Sequence, residues 1–307
     1  MRMVLAFACL LATGGSDRVP ADQTARRPGI LLLAHGGAES WNANVLEIVR
    51  ALDREQPAEV AFGMATRASI QGAAARLEAK GASEIVAVPL FVSSHSSILR
   101  STEYLLGLRA EAPPELARYA KMAHGASSVS GGGHAGHTAG TAAAAAEDGT
   151  RPIDTKLPVR MTRALDDHAI LGAIVADRAR AISRAPATES VILAVHGPVP
   201  DADNVLWLRD LRVIAGHVRG YASVDGVSLR DDAPAPVRNA ATAALRALVT
   251  KRRAEGRDVL IVPVLLSYGG IEKGLKTRLE GLEYRIPAQG IAPDARLVEW
   301  VKTMAQR

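Results

Sequence analysis

Four unbroken apolar runs punctuate the chain: Ile30 to Ala34, Ile85 to Val92, Val191 to Val195 and Val259 to Leu266. None alternates with polar residues as a half-exposed strand would. Continuous runs of branched aliphatics predict strands covered on both faces, the signature of a parallel sheet. Between them the apolar positions change period. Val45, Ile48, Val49 and Leu52 fall at helical spacing, as do Ile70, Ala74 and Leu77, and Gly81 stands where a helix would end. Val60 to Ala65 reads as a further strand, and a helix is expected around Ile98 to Leu108. Strand and helix therefore alternate, which predicts a parallel sheet with helices on both faces.

The pattern occurs twice. Ile30 to Ala34 ends in His35-Gly36, and Val191 to Val195 ends in His196-Gly197. The next run ends in Ser93-Ser94-His95 in the first half and in Ser267-Tyr268-Gly269-Gly270-Ile271-Glu272 in the second. A strand at Pro158 to Met161, followed by a helix through Ile170, Ile174 and Ala179, has its counterpart in Tyr284 to Ala288 and a helix through Leu297, Val298 and Val301. The expectation is an α/β protein of two flavodoxin-like lobes, residues 28–183 and 188–307, each a four-stranded parallel sheet flanked by helices. The spacing between third and fourth strands is much longer in the first lobe. That excess marks an insert at about 109–157, and its stretch from Gly125 to Gly149 is nearly all Gly, Ser, Ala, Thr and His. Too few large apolar residues lie there for a core, so it reads as a flexible loop.

Composition narrows the function. The 307 residues suffice for two domains of ordinary size. Cys9 is the only cysteine, which excludes intrachain disulfides and cysteine-built metal centres. The net charge is +5, yet no Lys/Arg run with interleaved aromatics occurs, so an acidic small molecule fits better than nucleic acid. Residues 1–27 have the layout of a signal peptide and leader: Met1-Arg2, an apolar run from Met3 to Ala12, then polar residues. The run is too short to span a membrane. The expected location is periplasmic or exported, with a cytoplasmic protein beginning near Pro28 as the alternative.

Histidines after parallel strands sit where open α/β sheets bind their ligands. His35 and His95 are therefore the first candidates: neutral imidazole ligates cobalt, nickel, iron and zinc ions, and it accepts protons near neutrality. His196 and Glu272 form the corresponding second-lobe candidates. Arg67, Arg100 and Arg163, near strand ends or on the helices that follow, are candidates for carboxylate recognition. His124, His134 and His137 fall in the insert, where no rigid frame is expected. A hydrolase elbow, a Walker loop and a G-x-G-x-x-G turn are all absent.

The chain resembles the class II tetrapyrrole chelatases, most closely the sirohydrochlorin cobaltochelatase (CbiX-like) family. The resemblance runs through Leu31 to Gly36, Ala61 to Ala65, Ile70 to Ala73, Val88 to Ser96 and Ala164 to His168, and so covers the first lobe outside the insert. The second lobe is similar in plan but divergent; its segments Ser267 to Glu272 and Leu282 to Tyr284 resemble a region of the protoporphyrin ferrochelatases without that region's histidine. The resemblance implies a cleft between two lobes and insertion of a divalent metal into a sirohydrochlorin-type ring. Co²⁺ is the first metal implied, with Fe²⁺ or Ni²⁺ as alternatives, and no organic cofactor. His35 and His95 would be metal ligands and proton acceptors. The leader and the insert depart from the family pattern, and with them stands an alternative: an exported, non-catalytic metal or tetrapyrrole binding protein derived from a chelatase.

Overall fold

The computed structural model describes residues 27–127 and 149–307. The expected leader, Cys9, His134 and His137 lie outside them, as does the stretch 128–148 of the low-complexity segment. The first sheet contains β1 (Pro28–Ala34), β2 (Ala58–Phe62), β3 (Glu84–Pro89) and β4 (Val159–Met161), all parallel, in the order β2-β1-β3-β4. The second contains β5 (Glu189–Val195), β6 (Ser223–Ser228) and β7 (Asp258–Pro263), again parallel, in the order β6-β5-β7.

The alternation of side chains along a strand builds three layers of core. Ile30 and Leu32 of β1, with Val191 and Leu193 of β5, face the same central cluster. Leu31 and Leu33 point to the outer face of the first sheet, and Ile192 and Ala194 to the outer face of the second. The apolar runs thus have both faces covered, as their sequence predicts. Around them lie α1 (Glu39–Asp53), α2 (Arg67–Ala79), α3 (Ser97–Leu105), α4 (Leu116–Ser127), α5 (Ala169–Ile182), α6 (Asp201–Ala215), α7 (Ala235–Ala254), α8 (Gly270–Arg278) and α9 (Arg296–Gln306).

Two helices cross over. The helix α5 follows the first sheet in sequence, but it packs on β7 and α6 of the second half; α9, at the end of the second half, packs on β3 and α1 of the first. Polar contacts secure both docks. Arg178 of α5 donates to the carbonyls of Gly290 and Ile291 at 2.8 and 3.1 Å. Arg160 of β4 donates to the carbonyl of Ala305 at 2.5 Å, and Lys302 of α9 pairs with Glu55 at 2.7 Å. Trp300 of α9 is fully buried in the central cluster. The two sheets are therefore held by one shared apolar layer.

The second sheet lacks the fourth strand expected at Tyr284–Ala288. That segment makes a single bridge, Leu260 to Arg285. The Arg285 backbone pairs on both sides, donating to Val259 at 2.9 Å and accepting from Ile261 at 2.8 Å, but Pro287 has no N–H to extend the ladder.

The flanks of the insert are folded. The helix α4 brings Leu116 and Tyr119 into the outer core of the first sheet, and Ile153 joins them. The returning chain is stitched to α2: Arg67 donates to the carbonyl of Arg151 at 3.0 Å, and Gln71 exchanges two 2.7 Å hydrogen bonds with the backbone of Asp154. Among the described residues no helix is long and apolar enough to cross a membrane.

Candidate functional site at the strand ends of the first lobe

His35 follows β1 directly and is exposed. Gly36 turns the chain away with φ +79°, a conformation that suits glycine. The Nδ1 of His35 lies 2.9 Å from the carbonyl of Gly36. A carbonyl only accepts, so Nδ1 is the donor, and in the neutral ring Nε2 presents the lone pair.

His95 lies in the loop between β3 and α3, and the loop is tightly tied. Ser93 Oγ accepts from the backbone N–H of His95 at 3.1 Å. Asp166, in a left-handed turn at φ +44°, accepts from the backbone N–H and hydroxyl of Ser94 at 2.6 and 2.7 Å. The second half of the molecule closes the other side through α6: Trp207 Nε1 donates to the carbonyl of His95 at 2.7 Å. One turn further along α6, Asp210 places Oδ2 3.5 Å from His95 Nε2. Both of these atoms are buried and neither has a hydrogen-bond partner.

The structure thus brings together a set that differs from the one expected. His95, Asp166 and Asp210 form the one group of three or more metal-capable side chains found among the described residues, their ligand atoms within 4.8 Å of one another; His35 is not a member. Asp166 and Asp210 are nearly fully buried, at 4% and 3% exposure. Each is balanced by an arginine reaching in from the rim. Arg163 donates to Asp166 Oδ2 at 3.0 Å, and Arg209 donates twice to Asp210 Oδ1, at 3.0 and 2.8 Å. Both arginines remain more than half exposed.

The other candidate arginines are committed elsewhere. Arg67 anchors the chain returning from the insert. Arg100 makes a two-pronged pair with Asp203 of α6, at 3.2 and 2.9 Å, which joins the two halves; that hydrogen-bonded pairing raises its affinity for its proton. His168 accepts from the N–H of Ile170 at 3.2 Å and so caps α5, and burial lowers its pKa.

In the second half, His196 Nε2 lies 3.4 Å from Asp232 Oδ2. The neighbouring Asp231 pairs with Arg278, yet burial pushes its pKa up. Glu272 is buried and paired with Lys276 one turn along α8, beside Tyr268, whose hydroxyl is pushed up by burial and by the Glu272 charge. A groove of about 490 Å³ runs between α6, β6 and α7, lined by Asn204, Leu208, Ser228, Arg230 and Ala241.

Asp210 and Trp207 were not legible as site residues. Their one trace in the sequence is a carboxylate next to Leu211 on a face that the helical period assigns to the interior. Nothing in that pattern says which sheet the face meets.

Residues 29–182, half of the chain, match the family model described as CbiX. The chain belongs to the CbiX family. No curated protein matches it in sequence. Among solved structures it is similar to SirB from Bacillus subtilis with Fe³⁺, with a TM-score of 0.56 at 14% identity, covering 91% of this chain and 94% of that one. It is also similar to the sirohydrochlorin chelatase SirB from Bacillus subtilis subspecies spizizenii in complex with cobalt, with a TM-score of 0.53 at 12% identity and the same coverage. This CbiX-family chain therefore has the chelatase fold, and both His35 and His95 lie inside the matched segment.

Proposed function

We propose that the protein is a metal chelatase that inserts a divalent ion, Co²⁺ in the first instance, into a sirohydrochlorin-type tetrapyrrole. The observation that carries this reading is the family match, with two imidazoles following β1 and β3, which are hydrogen-bonded neighbours in the sheet. The solved relatives carry Fe³⁺ and cobalt, which supports a first-row metal as substrate.

The chemistry asks for three things: a ligand that gives its metal up, an acceptor for the protons leaving the ring nitrogens, and a rim for an acidic macrocycle. His35, with Nε2 bare and the side chain exposed, suits the exchange of a metal or a proton with a ring above it. His95 is held by its backbone while its buried Nε2 faces Asp210 at 3.5 Å without a hydrogen bond, so the imidazole is oriented for proton exchange. Arg163 and Arg209 stand half exposed beside the site, each already held by a carboxylate, and their outward N–H groups suit the carboxylates of the ring.

The test is the full-length protein mixed with sirohydrochlorin and Co²⁺. Loss of the metal-free absorption spectrum with many turnovers per protein is expected. Stoichiometric binding without turnover would overturn the enzyme in favour of a carrier.

A further inference from the structure

We propose that the open edge of the second sheet is a docking groove for one extended peptide strand of another polypeptide, held by main-chain pairing to β6 between α6 and α7.

The edge comes first. β6 is the outermost strand of its sheet. Just past it, the N–H of Leu229 donates to the carbonyl of Val195 in β5 at 2.9 Å. Bonding direction alternates along a strand, so Val227 also faces β5, while Gly226 and Ser228 turn their N–H and C=O groups outward. The counterpart in the first sheet, β2, is an edge strand too, but α1 and α2 pack on it and Ala58, Val60 and Ala61 are buried. None of the residues of β6 is fully buried, and Gly226 is exposed. The same edge is thus closed by the chain's own helices in one lobe and left bare in the other. A bare strand edge is a template for a further strand.

Shape comes second. The helix α6 flanks one face of β6 and α7 the other: Leu211 and Val224 share the central cluster, Leu245 and Val227 the outer one. The groove of about 490 Å³ lies between the two helices and reaches Gly226, Val227 and Ser228 of the edge. Val237, Ala240, Ala241 and Ala244 of α7 line it at helical spacing. Only Leu245 and Val249 of that 20-residue helix are buried, so the stripe of small residues leaves room for the side chains of an incoming strand. A second copy of the chain fits less well. A two-fold contact would set this groove against itself, and two concave surfaces leave the space between them unfilled.

Polar chemistry comes third. A peptide unit brings one donor and one acceptor. The groove is lined by Asn204, whose buried Oδ1 has no donor, and by Arg230, whose buried Nε has no acceptor. Arg230 is only 8% exposed and is firmly placed: its backbone is left-handed at φ +54°, and one terminal nitrogen donates to the carbonyl of Val199 at 2.6 Å and to Asp201 at 2.8 Å. Buried polar atoms left without partners are costly. A peptide backbone supplies what both lack, whereas a purely apolar ligand supplies neither.

The experiment reads peptide binding. A fluorophore-labelled hexapeptide of alternating valine and threonine, with neutral ends, is titrated with the full-length protein and its fluorescence anisotropy followed. Saturable binding of one peptide per chain is expected. The same peptide methylated on every backbone nitrogen has no N–H to pair and should bind at least about tenfold more weakly. Ala241→Leu fills the groove from a helix position that accepts leucine and should abolish binding. Asn204→Ala should weaken it about fivefold. Circular dichroism checks that each variant keeps its fold; if Ala241→Leu does not, Ala244→Leu takes its place, with the same loss expected. No saturable binding, equal binding of the methylated peptide, or full binding by Ala241→Leu would each overturn the groove. So would a dimer in sedimentation velocity that Ala241→Leu dissociates, because the edge would then belong to a second copy.

Discussion

The two lobes meet the same problem at their strand ends with different solutions. In each, a buried strand runs into His-Gly, and the glycine turns at nearly the same angle, φ +79° at Gly36 and +76° at Gly197. Beyond that point they part. The first lobe leaves His35 exposed and His95 Nε2 without a partner. The second sets His196 3.4 Å from Asp232, about the distance that separates His95 from Asp210, and ties Glu272 to Lys276 on its own helix. A carboxylate neutralised on its own helix has little left to offer a substrate. The second lobe's contribution reaches the site by another route, through Trp207 and Asp210 of α6, which project onto the first lobe's histidine. A duplicated scaffold thus keeps its symmetry in the backbone and loses it in the chemistry.

The contrast would break first on turnover. His35→Ala and His95→Ala should each lower the rate of Co²⁺ insertion about a thousandfold, the middle of the range for losing a positioned acid–base group, with unchanged circular dichroism. Unchanged rates in both would remove the functional difference between the lobes.

The next effect concerns stability and sits in the second lobe. Glu189, at the start of β5, is 1% exposed. Burial by itself would raise its pKa, but hydrogen bonds from Ser183, the backbone of Arg184 and Ala185, and Arg285 outweigh burial and hold it down to about 2. A carboxyl depressed on folding stabilises the fold fully above its unfolded pKa, near 4.5, and loses that contribution as pH falls from there toward 2. Glu189→Gln should cost about 3 kcal/mol at neutral pH and flatten the acid limb of a urea-denaturation series between those pH values. An acid limb identical to wild type would show that the clamp adds nothing.

Smaller again is the link between lobes. Trp207→Phe removes one hydrogen bond to the carbonyl of His95 while keeping an aromatic ring. A loss of about 1 kcal/mol in unfolding free energy is expected, together with slower insertion, because the loop carrying His95 is less well held. Smallest of all, His196→Ala and Glu272→Gln should change turnover less than about threefold. A loss as large as that of His95→Ala would make the second lobe a catalytic partner.

Much of this architecture was legible beforehand, and for identifiable reasons. The inner strands β1, β3, β5 and β7 stood out because a parallel strand buried on both faces has few polar positions to blur it; β6 did not, because polar residues run through Ser223–Ser228 and none of its residues is fully buried. The two His-Gly ends followed from where those runs stop. The missing fourth strand of the second sheet was not legible, because Tyr284 to Ala288 has strand-like residues and the pairing stops at a single bridge before Pro287. The insert's flanks read as part of one low-complexity region, yet Leu116, Tyr119 and Ile153 are enough to dock them.

Local sequence by itself determined the inner strands of both sheets and the histidines at their tips, since burial on both faces and the turn at glycine are properties of short segments. Tertiary structure alone decided that α5 and α9 trade sheets and that α6 carries Asp210 to within 3.5 Å of His95. A helix's apolar stripe states that it must be covered, but many faces can cover it. Only the packing of the whole chain selects one, and with it the partner of the histidine.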